Sequence, residues 1–210
     1  MSKEIFYQKQ AETIIKNMKK RNFEGYYAQN AEEAKQIVLR KMEEGASISW
    51  GGTMTMTEIG VMDAIRGGKY RLIDRALAKD PEEAREIFAK TVMADYYLMS
   101  TNAITLEGEL INIDGNGNRL ACLMQGPKNV IIVAGMNKVV SDVQSGYQRV
   151  KDIASPPNAI RLHKNTPCAL TGHCADCYSP DCICSHTVIT RRCGIPGRIK
   201  VILVGQELGY

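Results

Sequence analysis

The sequence has no apolar run long enough to cross a membrane, since none approaches the ~18 residues that a transmembrane helix needs. Its first residues, MSKEIFYQKQAETIIKNMKKRN, are polar with scattered apolar positions and lack the apolar core of a secretory signal peptide. The formal charge is only mildly positive, at +4, and the lysines and arginines are spread along the chain. These absences predict a cytoplasmic protein with neither a membrane nor a nucleic-acid partner.

The chain also lacks internal repeats and low-complexity tracts. Its 210 residues, of which 44% are hydrophobic and 24% charged, are enough for one sizeable domain with its own core. We therefore expect a single domain over residues 1–210. A cysteine-rich insertion at 164–186 is expected within it, before the last strands.

Helix and strand signals alternate along the chain. Helices are predicted at 3–20, from the Asn30 cap, at 56–66, from Asp80-Pro81 and at 141–153. Strands are predicted at 25–28, 46–50, 69–74, 95–100, 109–113, 119–124, 129–135, 186–190 and 198–205. The run NVIIVAG is almost entirely apolar, which is typical of a strand buried on both faces of a parallel sheet. The alternation predicts an α/β fold with a mainly parallel sheet flanked by helices.

Three local features carry further structural expectations. The segment DGNGN, between residues 109–113 and 119–124, is a turn signal that predicts a β-hairpin and places Cys122 in a core strand. The segment SPPNA (155–159) is expected to break the chain after the helix at 141–153. In the helix that begins at Asp80-Pro81, the residues expected to face inward are Ala84, Ile87, Phe88 and Met93.

A glycine-containing turn follows the strand that ends at Trp50. Gly51 and Gly52 permit a tight turn, and Thr53 stands at the start of the next helix. The first amides of a helix have no partner within the helix and attract anions, so this turn is a candidate anion site. An ordinary turn with threonine caps is an equally good interpretation of the local pattern. Neither G-x-G-x-x-G nor a Walker loop is present.

Five of the seven cysteines lie in the stretch CALTGHCADCYSPDCIC, from residue 168. Cytosolic thiols are kept reduced, which favours a metal site or redox chemistry over a disulfide framework. Cys174-x-x-Cys177 is a chelating unit, and Cys168 and Cys184 can complete four ligands for zinc or an iron–sulfur cluster. Free thiols in a loop and a redox-active pair are the alternatives.

Together, SWGGTMTMTEIG (49–60), the run from Met99 to Val140, and TPCALTGHCADCYSPDCIC (166–184) leading to GRIKVILVGQELGY resemble the LUD-domain family, the lactate-utilisation proteins. The resemblance covers the chain from about residue 5 to its end. It implies a fold similar to the NagB/RpiA/CoA-transferase sheets and a homodimer, with the N-terminal helix as a candidate contact. The family version of the cysteine motif has arginine where this chain has Cys182.

The resemblance also implies site residues. It strengthens Gly51, Gly52 and Thr53 as the anion-binding turn. Further ligand-binding positions that it implies are Asn102, Asp114, Asn116 and Lys138. It singles out Cys168, Cys174, Cys177 and Cys184 as the metal set, with Cys182 as an extra thiol. By analogy with CoA-transferase relatives, Glu107 is the candidate catalytic carboxylate.

The function that follows is organic-acid (lactate) utilisation, with a small anionic metabolite at the glycine turn and iron–sulfur proteins of a lactate-oxidation system as partners. Two alternatives stay open. One is isomerase-like chemistry on a sugar phosphate, and the other is a non-catalytic metal-binding assembly or regulatory subunit. Whether the protein is an enzyme is left undecided by its sequence.

Overall fold

The computed structural model describes residues 2–210 and is built on a six-stranded parallel sheet. In chain order its strands are β1 (Glu24–Ala28), β2 (Ser47–Trp50), β3 (Arg71–Ile73), β4 (Tyr96–Met99), β7 (Asn129–Gly135) and β10 (Ile199–Val204). Their spatial order is β1-β10-β7-β4-β2-β3, and every neighbouring pair is parallel. The prediction of a mainly parallel α/β fold is therefore confirmed.

A smaller four-stranded sheet lies beside it, in the order β8-β5-β6-β9. Its strands are β5 (Ala103–Thr105), β6 (Leu110–Asp114), β8 (Val139–Val140) and β9 (His186–Thr190). The β5–β6 pair is an antiparallel hairpin, and β9 pairs antiparallel with β6. The structure thus contains a hairpin, but it lies earlier in the chain than the one that DGNGN predicts.

Helices cover both faces of the parallel sheet. They are α1 (Ser2–Lys20), α2 (Ala31–Arg40), α3 (Met54–Glu58), α4 (Val61–Arg66), α5 (Pro81–Val92), α6 (Asn118–Met124), α7 (Val143–Arg149), α8 (Ser155–Arg161) and α9 (Pro167–Thr171). Within residues 2–210, no helix is long and apolar enough to span a membrane.

The central strand β7 shows why the sheet is buried on both sides. Its alternate residues enter two different core clusters: Val130 and Ile132 pack with α1 and α6, whereas Ile131 and Val133 pack with α2 and α4. Successive side chains of a strand point to opposite faces, so an unbroken apolar run is what a doubly covered strand requires.

Residues 119–124 form a helix, so the strand prediction for them is wrong. In α6 the buried residues are Leu120, Cys122 and Leu123, and the i, i+3 spacing of the two leucines places them on one helical face. Gly117 precedes α6 at φ 76°, in the left-handed region that glycine adopts easily. Cys122 is a core residue, as expected, but on a helix.

Two further boundaries differ from their predictions. The segment 155–159 continues the helical path, because Pro156 and Pro157 lie in the first turn of α8, where a missing amide costs little. The single helix predicted over 56–66 is instead two, since Gly60 takes a left-handed conformation between α3 and α4. The cap of α3 is Thr53, whose hydroxyl accepts from the Met56 amide.

The helix α5 begins at the predicted cap, and the Asp80 side chain accepts from the Glu83 amide. Its inward face was predicted only in part. Phe88 packs against the core, but Ala84 is exposed and the Met93 side chain, just beyond the helix, is 80% exposed. Thr91 is the buried residue of α5, and its hydroxyl is satisfied there by a hydrogen bond with that of Ser49 at 3.0 Å.

Candidate functional site

A cavity of about 380 Å³ opens at the carboxyl edge of the parallel sheet. The segments that follow β2, β3, β4, β7 and β10 all contribute to its lining, together with the turn after β6, the helix α8 and residues 180–183. In open α/β sheets, ligands bind at this edge, since the strand ends and helix starts converge there. The volume lies within the range of small-molecule sites, roughly 300–1,000 Å³.

Lys138 lies at the centre of this edge, in the turn after β7. The residue is 2% exposed, and its Nζ donates to Thr55 Oγ1 and to Ser100 Oγ, both at 3.0 Å. Within residues 2–210, its ammonium has hydroxyl partners and no salt bridge. Buried charges are normally paired with an opposite charge, so a cation that has only hydroxyl partners in a cavity is a candidate for an anionic ligand.

The surroundings of Lys138 lower its pKa to about 7. Burial is the main cause, since removal from water disfavours the charged form, and the positive charges of Arg149 and Arg119 act in the same direction. The Glu58 carboxylate opposes them. An anion in the cavity would supply the missing negative charge and raise the pKa again.

The glycine turn after β2 presents a second set of cations. A Cβ placed on Gly52 would lie 3.2 Å from Arg75 Nη2 and 3.8 Å from Arg161 Nη2, so two guanidinium groups flank this residue. Gly52 and Thr53 line the cavity. A guanidinium group can bind two oxygens of a carboxylate or phosphate at once. The glycine between the two guanidinium groups leaves space for a carboxylate or phosphate.

Arg119 holds the cavity wall in shape rather than reaching freely into it. Its guanidinium donates to Asn112 Oδ1 at 2.7 Å, Asn102 Oδ1 at 3.1 Å and the Ile113 carbonyl at 2.8 Å. Asn102 is further fixed because its Oδ1 accepts from the Ile113 amide at 3.0 Å. This network ties the end of β4 to the end of β6.

Asp114 ends β6 and lines the cavity. Its Oδ2 lies 3.7 Å from Arg119 Nε and has no hydrogen-bond partner in the described part of the chain. Asn116 follows on the exposed turn and also lines the cavity. The DGNGN segment is therefore a strand-to-helix turn at the site, instead of the hairpin turn that its residues favour.

The structure thus brings together most of the ligand-binding residues predicted from the sequence. The six that line one cavity are Gly52, Thr53, Asn102, Asp114, Asn116 and Lys138. Gly51 lies buried beneath them, where a Cβ would be 3.2 Å from both Arg119 Cδ and Tyr97 Oη. Glu107 is not among the lining residues. It is exposed in the β5–β6 turn, where its carbonyl accepts from Arg21.

Several residues that line the cavity were not predicted from the sequence. They are Arg75, Ser100, Arg119, Arg161 and Lys164. Ser100 carried a usable signal, since it is the last residue of the strand predicted at 95–100, and the carboxyl ends of parallel strands meet at the site. The arginines lie on α6, on α8 and in the 3₁₀ turn after β3, and no spacing in the chain marks them.

The cysteine-rich segment forms one wall of the cavity. Cys182 and its neighbours line it, whereas the other cysteines are not among the lining residues. All seven cysteines are free thiols. Cys193 is buried in the core cluster beside α1, and its amide donates to the Arg21 carbonyl at 2.9 Å.

The thiols predicted as metal ligands differ in their surroundings. Cys168 is buried and Cys184 half-buried; burial raises the pKa of the Cys184 thiol to about 11, and the neighbouring Cys182, Cys174 and Cys168 add to that rise. Backbone amides donate to two sulfurs, from Asp176 to Cys174 at 3.5 Å and from Cys184 to Cys182 at 3.3 Å. Amide-to-sulfur bonds of this kind support metal-bound thiolates.

The ligand geometry, in contrast, is not assembled. In the described range 2–210, no three His, Cys, Asp or Glu side chains are arranged to hold a metal ion. The donors thus suit zinc or an iron–sulfur cluster in their chemistry but not in their present positions. A metal could be held only if the segment drew its sulfurs together.

Comparison with solved structures places this fold. It is similar to the crystal structure of a DUF162 family protein from Deinococcus radiodurans, with a TM-score of 0.51, 14% identity, and coverage of 96% of this chain and 98% of that one. Two weaker likenesses have TM-scores of 0.35 and 16% identity. The match to ribose 5-phosphate isomerase from Plasmodium falciparum covers 62% of this chain and 63% of that one. The match to eIF2B delta from Chaetomium thermophilum covers 50% of this chain and 46% of that one. At such identities these likenesses concern the fold alone.

A comparison with the curated proteins finds no match. The family model of the LUD domain, however, matches residues 11–204, which include most of both core clusters and most of the residues that line the cavity. The chain belongs to the LUD-domain family.

Proposed function

We propose that the protein binds a small organic anion, carboxylated or phosphorylated, in the cavity at the carboxyl edge of the sheet, as a LUD-type protein of organic-acid (lactate) utilisation. The observation that carries this proposal is the buried ammonium of Lys138, which has two hydroxyl partners and no salt bridge within residues 2–210. Membership of the LUD-domain family supports the class of metabolite.

The charge of the cavity wall supports the same ligand. Five cationic side chains line it: Lys138, Arg75, Arg119, Arg161 and Lys164. Two carboxylate side chains, Asp114 and Asp181, line it as well, and both have cationic neighbours, Arg119 and Lys164, at 3.7 Å. Arg75 and Arg161 have no carboxylate partner within residues 2–210 and flank Gly52. An anion placed there meets an excess of positive charge at short range.

Titration calorimetry with pyruvate, lactate and inorganic phosphate tests this proposal. A charge-assisted hydrogen bond contributes about 1.5–3 kcal/mol, so Lys138→Met should weaken anion binding roughly ten- to a hundredfold. Lys138→Arg, which keeps the charge, should lose less. The matched control is Lys90→Met on the exposed face of α5, which should bind like the unmodified protein.

The proposal fails if none of the three anions binds. It also fails if Lys138→Met and Lys90→Met bind with equal affinity, because the anion would then lie elsewhere. Lys164→Met should have only a small effect, since this side chain is 36% exposed and already lies near Asp181.

A metal ion or iron–sulfur cluster at Cys168, Cys174, Cys177 and Cys184 is a second part of the proposal. The amide-to-sulfur bond at Cys174 supports it, and bound metal would order the segment that walls the cavity. Metal and sulfide analysis after purification without oxygen tests it. Serine variants of the four cysteines should each reduce the metal content, whereas Cys193→Ser should not. If the unmodified protein and all of the variants are equally free of metal, the proposal of a metal site is wrong and the cysteines are free thiols.

Homodimer formation is likewise a proposal. It is supported by the exposure of Ile5 and Phe6 on α1, each 54% accessible. Sedimentation of the unmodified protein and of an Ile5→Glu/Phe6→Glu variant tests whether α1 forms the contact. A monomer in both cases, or a dimer in both, would contradict it.

A further inference from the structure

Among the lysines of residues 2–210, Lys138 alone is buried, and it lines the cavity. A buried lysine in a ligand cavity has two possible roles. As an ammonium it binds an anion, which is the role proposed above. As an amine it is a nucleophile.

The hydrogen bonds around Nζ determine what an uncharged Lys138 would present. Ser100 Oγ donates its proton to the Val133 carbonyl at 2.7 Å, and Thr55 Oγ1 donates towards Ser100 Oγ at 3.5 Å. Both hydroxyl oxygens can therefore accept from Nζ, but neither has a proton left to give it. An amine has two N–H groups and one lone pair. With both N–H groups bound to these hydroxyls, the lone pair stays free.

The lack of a side chain at Gly209 also leaves room beside Nζ. Gly209 runs past it with φ 56°, and a Cβ at this residue would lie 3.2 Å from Nζ and 2.7 Å from Thr55 Oγ1. Any larger residue would therefore crowd the amine. The backbone of Gly209 is held in place by Glu58, whose carboxylate accepts from its amide at 2.7 Å, and by Asn137, which donates to its carbonyl at 3.2 Å.

We propose that Lys138 forms a Schiff base with the carbonyl carbon of a small anion bound in this cavity. The inference rests on the proposed function, because the anion must first be held near the amine, and Arg75 and Arg161 beside Gly52 are the groups that hold its charged end. It names a narrower class of ligand: an anion that also carries a ketone or aldehyde.

The reaction is a reversible condensation and needs no oxidant or reductant. The nitrogen lone pair bonds to the carbonyl carbon while the C=O π bond breaks, and the oxygen takes the proton that the nitrogen gives up. The resulting carbinolamine then expels its hydroxyl, protonated to water, as the C=N bond forms. Both protons of the departing water come from the nitrogen, so the condensation needs no other proton donor, and Ser100 and Thr55 act as acceptors that hold the nitrogen in place.

The lowered pKa of Lys138 adds to this geometry. With a pKa of about 7, close to half of the side chains are amines at neutral pH. An exposed lysine, with an ordinary pKa of about 10.4, is an amine in less than about one molecule in a thousand at that pH. Lys138 should therefore react far faster than the exposed lysines of the same chain.

The shared ligand chemistry is a carbonyl beside an anionic group, and two sources can supply it. Pyruvate carries a carboxylate and dihydroxyacetone phosphate carries a phosphate. Lactate is the matched control for pyruvate, because it has the same carboxylate and size but no carbonyl. The experiment incubates the protein with each compound at neutral pH, adds borohydride to reduce any C=N bond, and measures intact and peptide masses.

We expect one reduced adduct per chain, mapped to the peptide that contains Lys138, with pyruvate or dihydroxyacetone phosphate and none with lactate. The reactive compound identifies the source. Lys138→Arg should lose the adduct while calorimetry still detects the anion. The peptide map of the unmodified protein decides the matter even if that variant does not fold.

Two results would overturn the Schiff base. The first is binding of the carbonyl compounds by calorimetry with no adduct, which leaves the anion site intact and removes only the nucleophile. The second is an adduct spread evenly over the exposed lysines. If no compound binds or reacts, the proposed function fails as well, so the two failures are distinguishable.

Discussion

Ser100 Oγ accepts from Lys138 Nζ at 3.0 Å and donates to the Val133 carbonyl at 2.7 Å, so one hydroxyl links the end of β4 to the end of β7. The two strands are neighbours in the parallel sheet, which is why their carboxyl ends place these residues side by side. The contact fixes the ammonium at the cavity wall. It also supplies one of the two acceptors that stabilise its charged form.

Replacing Ser100 with alanine should lower the pKa of Lys138 below its value of about 7. The direction follows because the lost hydroxyl accepts from the charged ammonium, and removal of such an acceptor favours the neutral amine. The pKa can be followed by NMR of the lysine ε-carbon resonance as pH is varied. A Ser141→Ala variant, at the exposed start of α7, is the control and should leave the pKa unchanged. An unchanged or raised pKa in Ser100→Ala would contradict this role.

Arg119→Ala should destabilise the fold by about 3 kcal/mol or more, because it leaves the buried Asn112 Oδ1 and the Ile113 carbonyl without their donor. Arg119→Lys should lose less, since a single ammonium can serve one of these acceptors. Urea unfolding measures both changes. A loss below about 0.5 kcal/mol, the range of ordinary surface substitutions, would show that the network does not support the cavity wall.

Gly209→Ala should weaken anion binding as well as stability. The new Cβ would lie 2.7 Å from Thr55 Oγ1 and 3.2 Å from Lys138 Nζ, so either the backbone at residue 209 or these two side chains must move. Gly45→Ala is a matched control, because Gly45 has a similar positive φ of 78° but nothing within 4 Å of the added Cβ. Both variants should lose about 1–2 kcal/mol to backbone strain. Only Gly209→Ala should also lose affinity for pyruvate or phosphate, and equal affinities in the two would contradict the contact.

Asp95 should make a pH-dependent contribution to stability. Its carboxylate accepts from Lys128 Nζ at 2.7 Å, from the Ser47 hydroxyl at 2.7 Å and from the Ser47 amide at 2.9 Å, and these contacts hold its pKa well below the ordinary 3.8. A carboxyl whose pKa is lowered by folding stabilises the fold above its unfolded pKa, and this contribution is lost as pH falls below about 4.

The measurement compares the free energy of unfolding of the unmodified protein and of Asp95→Asn across pH. At pH 7 the variant should be less stable by about 1–3 kcal/mol, and the difference should shrink steadily as pH falls below about 4. A difference that stays constant down to pH 2 would show that the charge of Asp95 does not matter.

Much of the fold could be predicted because its signals are local. The unbroken apolar run of β7 requires cover on both faces, and caps such as Asp80 mark where helices begin. The prediction of a strand where α6 lies was wrong because Asp-Gly and Asn-Gly favour a hairpin. In the structure, Leu120 and Leu123, spaced i, i+3, are instead buried on one face of a helix. Here tertiary packing overrode the turn chemistry.

The site was predictable to the extent that it follows strand ends. Lys138, Asn102 and Gly52 lie two or three residues after strands of the sheet, and parallel strands bring their carboxyl ends to one edge. Arg75 and Arg161 reach the same point from a 3₁₀ turn and from α8, elements whose positions depend on the whole fold. No motif marks such residues.

A crystal structure of the protein grown with saturating pyruvate, and in parallel with phosphate, tests the central claim most directly. The proposed function predicts density for one anion in the cavity, in contact with Lys138 Nζ and beside Gly52, Arg75 and Arg161. A cavity that holds only water under both conditions, or an anion that binds elsewhere on the molecule, would contradict it.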